Sequence, residues 1–354
     1  MISTTTLILY GGAHAVVDAA CAALVFGLVA SHHFDAGMGG VVFVLYNLLA
    51  FGLQPLLALA VDRRQCYRQA AVVGCAVTGA AMLLPGSLAM WAVCVAGVGN
   101  ALFHLGAGSI ALRLQPGSAG PAGIFVAPGG VGLFLGIVLG EHGFSAFWTG
   151  AVALGALAVL LLVHVVPLPP PREKPEIVCG PGKLILLLLL CSVAMRSLVG
   201  LALGVPWRPS PMLATGLVAA AAAGKGLGGV LADRFGWMRV ALCAPLAAVP
   251  LLLCATSWHA EAVAAMFLVS ATMPVALAAV AKSLPREPAF AFGLTAFALL
   301  VGGLPALTAA GPLFGLREPL AVAALGCGLA LYFGLRLSQT TADRIRTTRD
   351  SLPR

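Results

Sequence analysis

Few ionisable side chains interrupt the long apolar runs of this chain, and the types and spacing of those that do suit proton handling. His14 and Asp18 lie four residues apart in the first run. On a helix that spacing puts an imidazole and a carboxylate on one face. Such a pair can pass a proton, because small environmental changes move histidine across neutral pH. The competing role for Asp18 is structural, satisfying a neighbouring donor and holding its helix in register. Asn100 and His104 repeat the four-residue spacing in a later run, where packing and ligand contact are equally good readings. Arg196 falls mid-run in the second half. Arginine stays charged, so it requires an anion, and Asp18 or a bound substrate can supply one. A direct Asp18–Arg196 bridge, broken by substrate or proton, is one coupling device the spacing allows. Asn47 and Gln54, seven residues apart, and Lys225 are candidates to line the same cavity, although Lys225 can equally snorkel toward a membrane face. Arg196, Lys225 and two histidines set against Asp18 lean the cavity positive, toward a small anionic or zwitterionic substrate.

The elements that must position these groups are membrane helices. Of 354 residues, 60% are apolar and 9% charged, against roughly 25% charged in a soluble domain, and mean hydropathy is +1.03. Runs of about 20 apolar residues, each able to cross a hydrocarbon core of roughly 30 Å, recur along the chain. Breaking them at charge clusters and Pro/Gly groups predicts twelve spans, at 5–30, 37–60, 69–85, 88–112, 121–140, 146–167, 184–205, 211–232, 238–256, 261–281, 289–312 and 319–336. An all-α membrane protein follows, organised as a first bundle (1–167), a Pro-rich charged linker (168–183), a second bundle (184–336) and a basic tail (337–354) read as a solvated segment. The first run carries no preceding Lys or Arg and contains an Asp, so it is expected to stay as a helix rather than be cleaved.

The formal charge of +8 sorts by side. With both termini in the cytoplasm, sixteen of the 20 basic residues face inward, only Arg208 and Arg317 face out, and Arg196 and Lys225 fall within spans. The positive-inside rule therefore accounts for the charge as topology, and a nucleic-acid partner has no support. The location expected is a bacterial-type inner membrane, crossed many times. Nine cysteines, scattered without a CxxC pair, read as small apolar fillers, and no metal set or cofactor is expected. Gly224-Lys225-Gly226-Leu227-Gly228-Gly229 matches GxGxxG but lies inside an apolar helix with no preceding strand, so the dinucleotide reading fails. No HExxH or Walker sequence occurs, and no catalytic residues are assigned.

The chain also repeats itself. Asp62-Arg63 after the second span and Asp233-Arg234 after the eighth lie 171 residues apart, and Ala111-Leu112-Arg113-Leu114-Gln115-Pro116 answers Ala281-Lys282-Ser283-Leu284-Pro285 at a similar offset. Six spans separate each pair, so both members face one side, as in parallel repeats related by an axis along the membrane normal. An Asp-Arg turn in these two places resembles the loop signature of the major facilitator superfamily. Within it, His14-Ala15-Val16-Val17-Asp18, Phe51-Gly52-Leu53-Gln54-Pro55, Gly99-Asn100-Ala101-Leu102-Phe103-His104 and Arg196-Ser197-Leu198-Val199-Gly200 look most like the fosmidomycin-resistance branch and its relatives. The resemblance implies the major facilitator fold, with two six-helix bundles around a central cavity that open alternately to each side. Asp62, Arg63, Asp233 and Arg234 are read as gating loops, with simple inside-anchoring as the plainer alternative.

The function expected is secondary active transport of a small molecule, as proton-coupled export. The alternative is an uptake symporter or facilitator of a small organic anion. A membrane enzyme or a transport-dead receptor fits less well, because the deep polar groups sit mid-span in both halves and little chain is left outside the membrane. The expected partners are the bilayer, protons and the small-molecule substrate, with the chain acting as a monomer.

Overall fold

A computed structural model describes residues 2–34, 37–143, 147–169, 181–204, 210–254, 259–307 and 317–350. All regular structure among them is helical. In chain order the helices are α1 (Ile2–Ala30), α2 (Met38–Asn47 and Gln54–Arg64), α3 (Tyr67–Met82), α4 (Ala89–Leu114), α5 (Gly120–Glu141) and α6 (Phe147–Val163). The second half follows with α7 (Pro181–Gly204), α8 (Pro211–Phe235), α9 (Trp237–Cys254), α10 (His259–Ser270 and Met273–Ser283), α11 (Pro288–Leu307) and α12 (Arg317–Asp350). Each predicted span matches one of these twelve. The linker expected at 168–183 lies for the most part outside the described residues.

Proline explains both interrupted helices. Pro55 has no N–H for the carbonyl four residues back, and the two pieces of α2 join through a π turn at Leu48–Gly52, where Leu53 N donates to Leu48 O at 2.9 Å. In α10 the break precedes Pro274, and Thr272 Oγ1 donates to Val269 O at 2.7 Å. The basic tail is helical over most of its length. α12 runs on as helix to Asp350, because no Gly or Pro stops it between Leu335 and Leu352. At about 1.5 Å per residue, its 34 residues outreach a bilayer core.

Apolar side chains such as Trp148, Val152, Val163 and Met212 face outward, which in lipid costs nothing. What draws the helices together is close backbone approach at small residues. Gly132, Gly136 and Gly140 form a stripe on α5 where a Cβ would stand 2.0 Å from Ala15 O, 2.2 Å from Ala19 O and 2.8 Å from Gly27 N. This stripe fixes α1 on α5, and so places His14. The two halves meet through α5 against α8 and α2 against α11.

Candidate functional site

The stripe presses His14 between α4 and α5, and four residues on α1 and α4 close into one cluster. His14 Nδ1 lies 2.9 Å from Phe125 O, and His104 Nδ1 lies 2.9 Å from Asn100 O. A carbonyl only accepts, so each Nδ1 carries its proton and each Nε2 presents a lone pair. The two Nε2 atoms are 2.8 Å apart. Asp18 Oδ2 lies 3.1 Å from His14 Nε2, and Asp18 Oδ1 lies 3.6 Å from His104 Nε2. Asn100 Nδ2 donates to Asp18 Oδ1 at 3.1 Å, and Cys21 Sγ lies 3.7 Å from the same amide nitrogen.

Three acceptors thus converge with no donor among them. Two imidazole lone pairs at 2.8 Å repel unless a proton lies between, so the geometry calls for one added proton, shared by His14 and His104 and balanced by the Asp18 carboxylate. Both histidines are buried and ringed by aromatics. Phe125 stacks on His14 with centroids 4.6 Å apart, while Phe51, Phe103 and Phe292 stand 5.8–6.2 Å from His104. Phe292 belongs to α11, so the second half also touches the cluster.

Two histidines and a carboxylate within 4.8 Å of one another also have the composition of a metal site. The spacing does not suit one. Two imidazole nitrogens on one tetrahedral zinc stand about 3.3 Å apart, given Zn–N bonds of roughly 2.0–2.1 Å, and 2.8 Å is a hydrogen-bond length.

The Asp18–Arg196 bridge does not form, since Asp18 is taken by the histidines and Asn100. Arg196 is 8% exposed and its Nε is buried without a partner. Lys225 does not snorkel to the helix end. Its ammonium lies over α5, where a Cβ on Gly130 would come within 3.3 Å of Nζ. Asn47 and Gln54 each bond back to their own helix, to Phe43 O at 2.8 Å and Ala50 O at 2.7 Å, and Gln54 is fully buried where Gly293 of α11 crosses it. Sequence reasoning missed the Phe125 carbonyl and the tight fit of Gly129 beneath His14, where a Cβ would stand 2.3 Å from Nε2. A glycine pair in an apolar helix was the only signal for it.

At one end of the molecule the two Asp-Arg turns act as reciprocal caps. Asp62 accepts from Ala289 N at 3.0 Å and Phe290 N at 2.8 Å, the first amides of α11. Asp233 accepts from Ala119 N at 2.8 Å and Gly120 N at 2.7 Å at the start of α5, from Ser118 Oγ, and from Trp237 Nε1 at 2.9 Å. Carboxylates at helix N-termini are stabilised by free amides and by the helix dipole. Each half therefore holds the other. Arg63 and Arg234 are exposed and join no ion pair among the described residues.

Twelve helices in two halves, joined by matching caps, can be compared with solved structures. One structure of FucP, a major facilitator superfamily transporter, in the outward conformation superimposes with a TM-score of 0.71 over 95% of this chain and 99% of its own, at 13% identity. The chain has the major facilitator fold. The fold is shared with the human organic anion transporter MFSD10 (TM-score 0.69, 17% identity, 94% of this chain and 99% of the other). A bacterial homologue of the lysosomal transporter Spinster, inward-facing and unoccupied, agrees less well (TM-score 0.51, 15% identity, 96% and 97% covered). No protein-family model and no curated protein matches the sequence.

Proposed function

We propose that this chain is a secondary active transporter that moves a small molecule by alternating access of its two halves and carries a proton on His14, Asp18 and His104. The observation that carries the reading is the 2.8 Å approach of two Nε2 atoms whose Nδ1 atoms are both committed to carbonyls. A buried group built to hold one extra proton, midway along the spans, is a coupling element rather than a packing device. The neighbours in fold are transporters, and one of them, FucP, is a fucose:proton symporter. An enzyme has less support, because the polar groups lie mid-span in both halves and not at one membrane face.

The distribution of basic residues supports a cytoplasmic side for the Asp62 and Asp233 end, in a bacterial-type inner membrane. With both caps engaged, the described state is closed on that side, and the better agreement with the outward FucP than with the inward Spinster homologue is in keeping. The domain scheme is two rocking bundles, 1–167 and 184–336, with the linker 168–183 and the tail 337–354 outside the transport path.

The test is proton movement in proteoliposomes with a pH-sensitive dye inside, while small anions, phosphonates, amines and hydrophobic drugs are added in turn. A substrate-dependent pH change that Asp18→Asn abolishes supports the reading. The sign of that change separates export against a proton from co-transport with one. Substrate flux with no pH change in the wild type overturns proton coupling.

A further inference from the structure

Proton handling leaves two cations unused, one buried and one half-buried. Arg196 is more than nine-tenths buried, and its Nε is sealed with no hydrogen-bond partner. Its two terminal nitrogens are not among the sealed atoms, and neither bonds to any described residue, so the tip of the guanidinium is left available to a partner. A bare guanidinium facing lipid is costly, so this tip calls for a polar partner or a water-filled cavity. Lys225 is half-buried and within electrostatic range of both Arg196 and Asp18. Its ammonium rests at Gly130, and the next residue back, Gly129, carries the His14 ring. The ammonium and the proton-holding cluster therefore sit on adjacent residues of α5.

Two cations within electrostatic range of one another, one buried and one half-buried and neither in an ion pair among the described residues, are an arrangement an anion completes. We propose that Arg196 and Lys225 form the binding site for a small organic anion with a carboxylate or phosphate-type head group, loaded together with the proton on His14, Asp18 and His104. The planar guanidinium offers a fork for two oxygens, and the ammonium, also carried by the second half, offers a point charge where it lies against Gly130 of the first. An anion between them therefore ties α7 and α8 to α5.

Charge balance gives the order of loading and rests on the proton reading above. With its proton, the cluster is neutral and leaves two positive charges for the anion. Without it, the cluster carries the Asp18 charge, which partly neutralises Lys225 and repels a second anion. The other ionisable groups in range are Tyr46 and Cys21, on α2 and α1 beside Asp18, and Cys327 on α12 beside Arg196. The residues of α5 and α11 at the cluster, Phe125, Gly129, Gly130 and Phe292, carry no charge. The anion and proton thus travel in one direction, which favours co-transport over exchange.

The test is thermal unfolding of the purified full-length protein with lactate, succinate or glycerol 3-phosphate, with glycerol as the uncharged control. At least one anion is expected to stabilise the wild type, binding about tenfold more tightly at about pH 6 than at about pH 8, where histidine changes charge. Which anion does so identifies the head group. Arg196→Gln should lose binding by about tenfold or more and Arg196→Lys should retain part of it, since the charge survives without the fork. Asp18→Asn should keep binding but lose its pH dependence. Binding that is equally tight at both pH values in the wild type overturns joint loading and the proton reading, while leaving the anion site standing. No stabilisation of well-folded wild type by any anion, or unchanged binding in Arg196→Gln, overturns the anion site even where proton movement is observed.

Discussion

Gly129 lies so close beneath His14 that a methyl group added there would stand 2.3 Å from Nε2. The glycine is a condition of the proton site, because the ring reaches His104 only by lying flat against bare backbone. Gly129→Ala must push His14 away and open the 2.8 Å contact. Substrate-driven proton movement should fall to background while the protein still purifies folded. Gly12→Ala is the control, since nothing lies within 4 Å of a Cβ there, and it should transport like the wild type. Normal coupling in the Gly129 variant would count against the shared proton.

The occupant of the cluster can be checked directly. His14, Asp18 and His104 present three ligand atoms, but the nitrogens stand too close for a tetrahedral ion, and Lys225 and Arg196 add repulsion toward any divalent cation. Isothermal titration of zinc into the purified protein at neutral pH should show no stoichiometric binding tighter than about micromolar. A tight site that disappears in His104→Gln would make the cluster a metal centre and remove the proton assignment.

The stripe on α5 makes a stability prediction. A Cβ on Gly132 would stand 2.0 Å from Ala15 O, a backbone atom that cannot swing aside as a side chain would. Gly132→Ala should therefore force α1 and α5 apart at an overpacking cost of about 1–3 kcal/mol, seen as a drop of several degrees in Tm. It should also weaken coupling, because α1 carries two members of the cluster. An unchanged Tm would mean that the helices are free to separate, contrary to the packing described.

Much of this was legible in the sequence, and the remainder failed for a physical reason. Hydropathy finds all twelve helices because a span in lipid must satisfy its own backbone polar groups and an apolar run of about 20 residues does so as a helix, and the four-residue spacing of His14 and Asp18 correctly places them on one face. His104 could not be assigned to the same cluster, since it lies 86 residues from Asp18 and arrives there only through the packing of α1, α4 and α5. Charge matching pointed to an Asp18–Arg196 bridge, but local hydrogen bonds satisfy the carboxylate first and leave the arginine open. Gln54 looked like a cavity residue on helical spacing, and the π turn before Pro55 breaks the register on which that spacing depends.

The caps at Asp62 and Asp233 should differ in strength. Each carboxylate accepts two main-chain amides from the opposite half, but Asp62 is buried and Asp233 is exposed, so water competes only at the second. Replacing Asp62 with Asn removes the charge and turns one acceptor into a donor facing a donor, a loss of about 1–3 kcal/mol for charge-assisted bonds out of water. That corresponds to a shift of about fivefold to 150-fold toward the state open on that side. Asp233→Asn should shift the equilibrium less, and in a salt-dependent way. Spin labels at the exposed Arg64 and Arg239 positions, one in each half, would report the shift as a longer, broader distance distribution in pulsed electron resonance. Equal effects from the two variants would mean that burial does not set the strength of the caps. No effect from either would reduce the turns to anchors whose arginines merely fix them to one side of the membrane.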